Sequence, residues 1–225
     1  NNVRWLKNLN KLQNRPTIFF GNEFLDALPI KQFIKLKNIW HERYVEKRGK
    51  IYKFKDFKYD IKKLENKLKF NIAKKQDFLE ISFEEIKIIN QLNNIIKKKG
   101  GSILLIDYAY LDHKMVDTLQ AVKKHKKINV LKKIGSSDIT HIINIPYLKK
   151  ITKQLNLKVD YTSQRNFLIN LGIMKRAEIL ATNKKFLEKA NIFYRINRLI
   201  DKSQMGEIFK ILHIYKNKKF KLGFL

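Results

Sequence analysis

The chain has 225 residues, 44% of them hydrophobic, and a formal charge of +29; that length can bury a sizeable core in one domain or slightly more. It contains no cysteine, which excludes disulfides, thiolate metal sites and a cysteine nucleophile and fits a reducing compartment. Charges interrupt even the apolar stretch 103–106 at Asp107, so no run reaches bilayer length and a soluble protein is expected.

Lysine far outnumbers arginine, is spread over almost every segment and accompanies abundant Asn and Ile. This reads as a solvated lysine coat rather than a dedicated nucleic-acid footprint. Val3, Leu6, Leu9 and Leu12 share one helical face and predict a helix over 3–12, a start expected in mid-fold. Pro16 then introduces a β-branched and aromatic run, 17–20, which Gly21 closes: the pattern of a buried strand in an α/β sheet. Asn22, Glu23 and Asp26 follow where the strand stops, and ligands of open α/β sheets sit outside the carboxyl ends of strands. Two acids three residues apart therefore mark a chemical centre, or else a helix's first turn whose dipole they offset.

A hairpin is predicted from strands 39–46 and 51–57 around the turn 47–50. In it Tyr52, Phe54 and Phe57 interleave with Lys53, Lys55 and Lys58, as in a half-buried strand with aromatics inside and lysines out. Residues 60–68 read as a short charged helix and 83–99 as a longer one, with Ile86, Ile89, Leu92 and Ile96 at helical spacing and Gly100-Gly101 as its stop. The strand 102–106 is continuous enough to be central in a parallel sheet. It delivers Asp107, Tyr108 and Tyr110 to the edge that carries Glu23 and Asp26. The glycine pair precedes that strand and so cannot be a phosphate-cradling loop, which follows one.

Beyond it come Thr118, Leu119, Gln120 and His125, then Asp138, Thr140 and His141 ahead of the apolar run 142–145. Helices are predicted over 146–155, 162–171 and 186–200, and a strand over 208–215. The five histidines form no i, i+4 pair, so no metal site is expected. No Gly-x-Ser-x-Gly elbow supports hydrolase chemistry.

Several motifs occur in an order that carries a resemblance: Asn22 to Pro29, Trp40 to Val45, Ile106 to Tyr110, Thr118 to Ala121 with His125, Asp138 to Thr140, Gln164 with Phe167-Leu168, and Met205 to Lys210. Over nearly all its length the chain resembles the MidA-like family of S-adenosylmethionine-dependent methyltransferases, whose mitochondrial members are arginine methyltransferases acting in respiratory complex I assembly. The resemblance implies an α/β fold, the carboxyl-terminal portion of a Rossmann-like class I methyltransferase with an inserted β-hairpin and helical substrate-side elements. It implies one partial methyltransferase domain over 1–225: strand and acidic loop 17–30, hairpin 39–57, helix and central strand 83–110, a mostly helical substrate-side region 111–200 and terminal strands 205–225.

It implies S-adenosylmethionine as cofactor and a complex I subunit as substrate, in bacterial cytoplasm or, for a eukaryotic chain, the mitochondrial matrix. Glu23 and Asp26 would clamp a guanidinium; Asn22, Asp107 and Tyr108 would line the cofactor cleft; Tyr110, His125, Asp138, Thr140 and Gln164 would shape the substrate side. Three departures stand out. Ala109 replaces a family glycine, and 141–145 replaces an Ala-His-Val-Asp-Phe run. The family's amino-terminal strands, with the glycine-rich loop and ribose-binding acid, are missing, which predicts weak or absent cofactor binding and an open hydrophobic edge at strand 17–20. The competing reading is a non-catalytic basic module for nucleic acid or an acidic partner, against which the acid cluster argues because it repels phosphate. An inactive truncated methyltransferase is a further alternative.

Overall fold

The computed structural model describes residues 3–12, 14–124, 126–217 and 223–224. The first strand, β1 (Thr17–Asn22), is followed by three antiparallel strands, β2 (Lys31–Leu36), β3 (Ile39–Arg48) and β4 (Ile51–Lys58). Helix α1 (Ile61–Leu68), strand β5 (Phe78–Ile81), helix α2 (Phe83–Lys99) and strand β6 (Gly101–Tyr110) come next. Three short strands, β7 (Gln120–Lys123), β8 (Lys126–Ile128) and β9 (Asp138–Thr140), form a small sheet of their own. The remainder is β10 (Ile143–Asn144), α3 (Ile145–Gln154), β11 (Lys158–Ser163), α4 (Gln164–Asn170), α5 (Ile173–Ala181), α6 (Phe186–Ile200), α7 (Met205–Ile208) and β12 (Phe209–Tyr215).

The main sheet runs β1-β6-β12-β11, with β10 pairing the far end of β6. β1 and β10 lie parallel to β6, while β12 is antiparallel to it, so the sheet is mixed. A second, antiparallel sheet runs β4-β3-β2-β5. Each has its own apolar core: Leu25, Ile89, Ile103, Leu105, Leu148 and Leu212 in one, Phe33, Trp40, Leu64, Leu79, Tyr147 and Ile151 in the other. Helix α3 contributes to both, which locks the two sheets together.

Local chemistry explains the boundaries near the acidic loop. The Ser82 hydroxyl accepts the Glu85 N–H at 3.1 Å and caps α2. Glu84 and Glu85 lie in its first turn and three lysines in its last, each with the sign the helix dipole favours. Gly101, at φ +121°, starts β6 so close to β1 that a Cβ would stand 1.9 Å from the Thr17 carbonyl oxygen; only glycine fits. The β1–β6 register then pairs Asn22 with Ile106, so the loops leaving both strands emerge at one edge of the sheet.

Several expectations change. The helix over 3–12 is reduced to one 3-10 turn, Leu9–Lys11. Trp5 is 93% exposed, and a short helix with no surface to pack on is marginal. Residues 162–163 end strand β11, and the helix expected from 162 starts at Gln164, where the Ser163 hydroxyl accepts the Asn166 N–H. The region 111–200 opens with strands and becomes helical only from Ile145. The hairpin aromatics are not inside: Phe57 is 49% exposed, and lysine ammonium groups lie over the Tyr52 and Phe57 rings. As expected, β1 has no second neighbour among the described residues, and Ile18 and Phe20 are each 65% exposed.

Candidate functional site

The acids after β1 sit in a tight loop, not in a helix. Glu23 has a left-handed backbone, φ 47°, uncommon without a glycine and a mark of a constrained position. Its N–H donates to the Ile106 carbonyl at 2.9 Å, and the Leu28 N–H closes the loop on the Leu25 carbonyl at 3.0 Å. The centre of the arrangement is Asp107. Its Oδ2 accepts the backbone N–H groups of Phe24, Leu25 and Asp26 at 3.2, 2.9 and 3.4 Å, and its Oδ1 accepts that of Tyr108 at 2.9 Å. Three successive loop amides thus converge on one buried carboxylate oxygen. The loop is shaped by the strand beside it.

The outcome is asymmetric. Asn22 and Glu23 are exposed, with the Asn22 amide donating to Glu23 Oε1 at 3.4 Å, while Asp26 is buried. Burial first, and the charge of Glu23 second, raise the pKa of Asp26. Burial, followed by the charge of Asp26, pushes Asp107 up to about 7 against the opposing pull of its amide donors. Tyr108 is raised by burial and then by Glu23, Asp26 and Asp107, the electrostatic sign of one shared acidic edge. Its ring packs 4.1 Å from Phe209.

Asn22, Glu23, Asp26, Asp107 and Tyr108 are therefore brought together. The substrate-side candidates disperse. Tyr110 lies three residues beyond Asp107 in a buried cavity with Asn144. Thr140 Oγ1 accepts the Gln120 amide at 3.2 Å, while Asp138 is exposed on β9. Gln164 is buried and donates to the Leu199 carbonyl at 3.0 Å, tying α4 to α6. His125 lies outside the described residues. Sequence reasoning missed His141, whose N–H donates to the Asp26 carbonyl at 3.0 Å and holds the loop from the opposite side. Its signal was the departure from the family run at that position. Among the described residues no cluster of three His, Cys, Asp or Glu could hold a metal ion, and no helix is long and apolar enough to cross a membrane.

A family model described as a putative S-adenosyl-L-methionine-dependent methyltransferase matches residues 1–163. The chain belongs to that family. It is 31% identical over 217 residues to a mitochondrial protein arginine methyltransferase NDUFAF7 homolog of Caenorhabditis elegans, covering 93% of this chain and 50% of that protein. The Danio rerio protein arginine methyltransferase NDUFAF7 is 26% identical over 219 residues, covering 94% of this chain and 50% of the relative. The chain thus spans about half the length of these curated relatives. A crystal structure from Burkholderia thailandensis, a COG1565 superfamily member and likely methyl transferase bound to S-adenosyl-homocysteine, superposes with a TM-score of 0.78 at 23% identity, over 98% of this chain and 58% of that one. At that identity it establishes the fold. The MidA-like resemblance and the Rossmann-like α/β class read from the sequence are borne out.

The described residues fit one end of the family's cofactor. Exposed Glu23 and the part-exposed Tyr108 ring, with Asp26 buried behind them, give an anionic, aromatic edge of the sign that suits a cationic sulfonium or ammonium group. For the nucleoside end, the described residues supply no strand outside β1 and no glycine-rich turn after a strand.

Proposed function

We propose that this chain is the acid-loop portion of an S-adenosylmethionine-dependent protein arginine methyltransferase whose target is a respiratory complex I subunit under assembly. One observation carries the reading: two carboxylates on one short loop, held against the β1–β6 edge by the amides that Asp107 receives. The relatives' names support arginine as the residue class. Their mitochondrial designation supports a mitochondrial location for a eukaryotic source; the matrix, or the cytoplasm for a bacterial source, is part of what we propose.

The cofactor, when bound, supplies an electrophilic methyl group on a sulfonium. The chain's own residues manage the nucleophile. A guanidinium is always protonated near neutral pH and attacks poorly unless carboxylates orient and polarise it. Exposed Glu23 accepts its N–H groups directly. Asp26, buried behind and raised in pKa, adds negative charge and is suited to receive the proton given up on methylation. Asp107 acts by position, holding Phe24 to Asp26 so that exposed Glu23 meets the substrate with Asp26 buried behind it. Asn22 and Tyr108 flank the donor's cationic end.

Calorimetric titration of the 225-residue chain with S-adenosylmethionine tests the division of labour. Weak or no binding is expected, with binding in a full-length version carrying the relatives' additional half; strong binding by the short chain would overturn it. A second reading rests on the hairpin, where Arg43, Lys47 and Lys55 lie over Phe54, Tyr52 and Phe57 at 5.1–5.8 Å. Such a surface suits an anionic polymer. Binding to single-stranded RNA that weakens steeply between 50 and 200 mM salt would favour it.

A further inference from the structure

Behind the acid loop lies a small, largely enclosed cavity lined by Glu80, Ser82, Glu85, Tyr110, His141, Asn144 and Tyr147 together with Ile30, Ile142 and Ile143. It leaves about 10 Å³ for the centre of a water molecule, which is the room one water needs. Its polar groups fall into two sets. Glu80, Ser82, Tyr110 and Asn144 have their bonds within the protein: Glu80 accepts from Gln32 and Thr118, Ser82 from the Glu85 N–H, Asn144 from the Tyr147 N–H, and the Tyr110 hydroxyl bonds to Asn144 and the Val116 backbone. Glu85 Oε1, His141 Nε2 and Tyr147 Oη have no partner, and each residue is more than nine-tenths buried. Three residues that each carry an orphaned polar atom, one on α2, one on α3 and one between β9 and β10, line one water-sized hole and form a built site. Leaving them unmet would cost more than any of the neighbouring bonds supplies.

We propose that this cavity is a binding site for a single ordered water, which bridges Glu85, His141 and Tyr147. The stoichiometry closes. The Tyr147 hydroxyl and a protonated Glu85 each donate to the water, and the water donates to His141 Nε2, giving the three bonds usual for a buried water. Burial pushes Glu85 up to about 8, so at neutral pH it carries the proton this arrangement uses. The His141 ring lies against the Leu25 backbone, and its desolvation lowers its pKa, keeping the ring neutral and Nε2 free to accept. Because the His141 N–H also holds the Asp26 carbonyl, the water fixes a residue that touches the acid loop on one side and the cavity on the other.

A high-resolution crystal structure of the 225-residue chain at pH 7, with water-to-protein NOE measurements in solution, tests this. The expected result is one water oxygen within hydrogen-bond distance of all three atoms, with an NOE to the Tyr147 or His141 ring from a water that outlives bulk exchange. Glu85→Leu should expel it, removing both density and NOE and moving the His141 ring nitrogen shifts. Glu85→Gln, which keeps a donor and the shape, should retain it and serves if the leucine variant does not fold; Tyr147→Phe should leave the water with two partners and a shorter residence. An empty cavity in the wild type, or direct contact between two of the three side chains closing it, would overturn the proposal.

Discussion

Two junctions of this molecule use the same device and put it to different ends. At the β1–β6 edge, Asp107 receives the amides of Phe24, Leu25 and Asp26. At the β5–α2 junction, Glu80 receives the N–H groups of Thr118 and Leu119, the Thr118 hydroxyl and the Gln32 amide. In both a buried carboxylate folds a passing loop onto a strand. At the first junction the loop so held presents exposed Glu23 to solvent. At the second, the other acid, Glu85, is sealed inside. A carboxylate that organises backbone is structural wherever it stands; the acids it leaves exposed are the ones that can meet a substrate.

Breaking the first junction should have the largest effect. Asp107→Ala strips four backbone donors of their acceptor, and the loss should destabilise the chain by about 4 kcal/mol, read as a lower denaturant midpoint at unchanged slope. An unaltered midpoint would show that the loop keeps its shape without the carboxylate.

The second junction responds to pH. Glu85 titrates near 4.5 when unfolded and at about 8 in the fold. Between those values the folded state binds more protons than the unfolded one, so stability falls as pH rises across that window. Glu85→Gln removes the share that Glu85 contributes and leaves that of Asp107, which burial also raises, to about 7. The variant should gain on the wild type as pH rises, by roughly 3 kcal/mol at pH 7, checked by denaturant melts from pH 4 to 9. Parallel curves would mean that Glu85 is ionised in the fold at little cost.

Glu23→Gln separates function from structure. In a version extended by the relatives' additional half it should cut methylation of a protein substrate by about 100-fold, about 2.7 kcal/mol of transition-state stabilisation, with no change in melting temperature. Unchanged turnover would remove Glu23 from the substrate clamp.

How much of this was legible depends on the range of the interactions. Helix α2 falls on 83–99 as its Ile spacing and glycine stop require, because period and cap are local signals. The convergence of Glu23, Asp26, Asp107 and Tyr108 was legible because two strands ending in polar residues meet at one edge when parallel neighbours, and the register makes them so. What Asp107 does there was not legible. Its three loop partners lie more than 80 residues away, and nothing in an Ile-Asp-Tyr run distinguishes an acid facing a ligand from one receiving amides. The exposed hairpin aromatics failed for the opposite reason. Alternation fixes which residues share a face, but only the packed layers decide whether that face is covered.

The smallest effect sharpens the comparison most. Glu80 and Gln differ by one acceptor exchanged for a donor pair, and the donors around Glu80 come from four directions. Glu80→Gln keeps one carbonyl oxygen for some of them but turns its NH2 toward another donor. The charge cost of burial, which raises the pKa of Glu80, disappears at the same time and offsets part of that loss. The net destabilisation should be about 1–2 kcal/mol, at most half that of Asp107→Ala. Amide exchange should rise first at Thr118 and Leu119, read by native-state hydrogen exchange. If it rises instead at Phe24 to Asp26, the two junctions are one cooperative unit, coupled through the 141–147 segment that touches both.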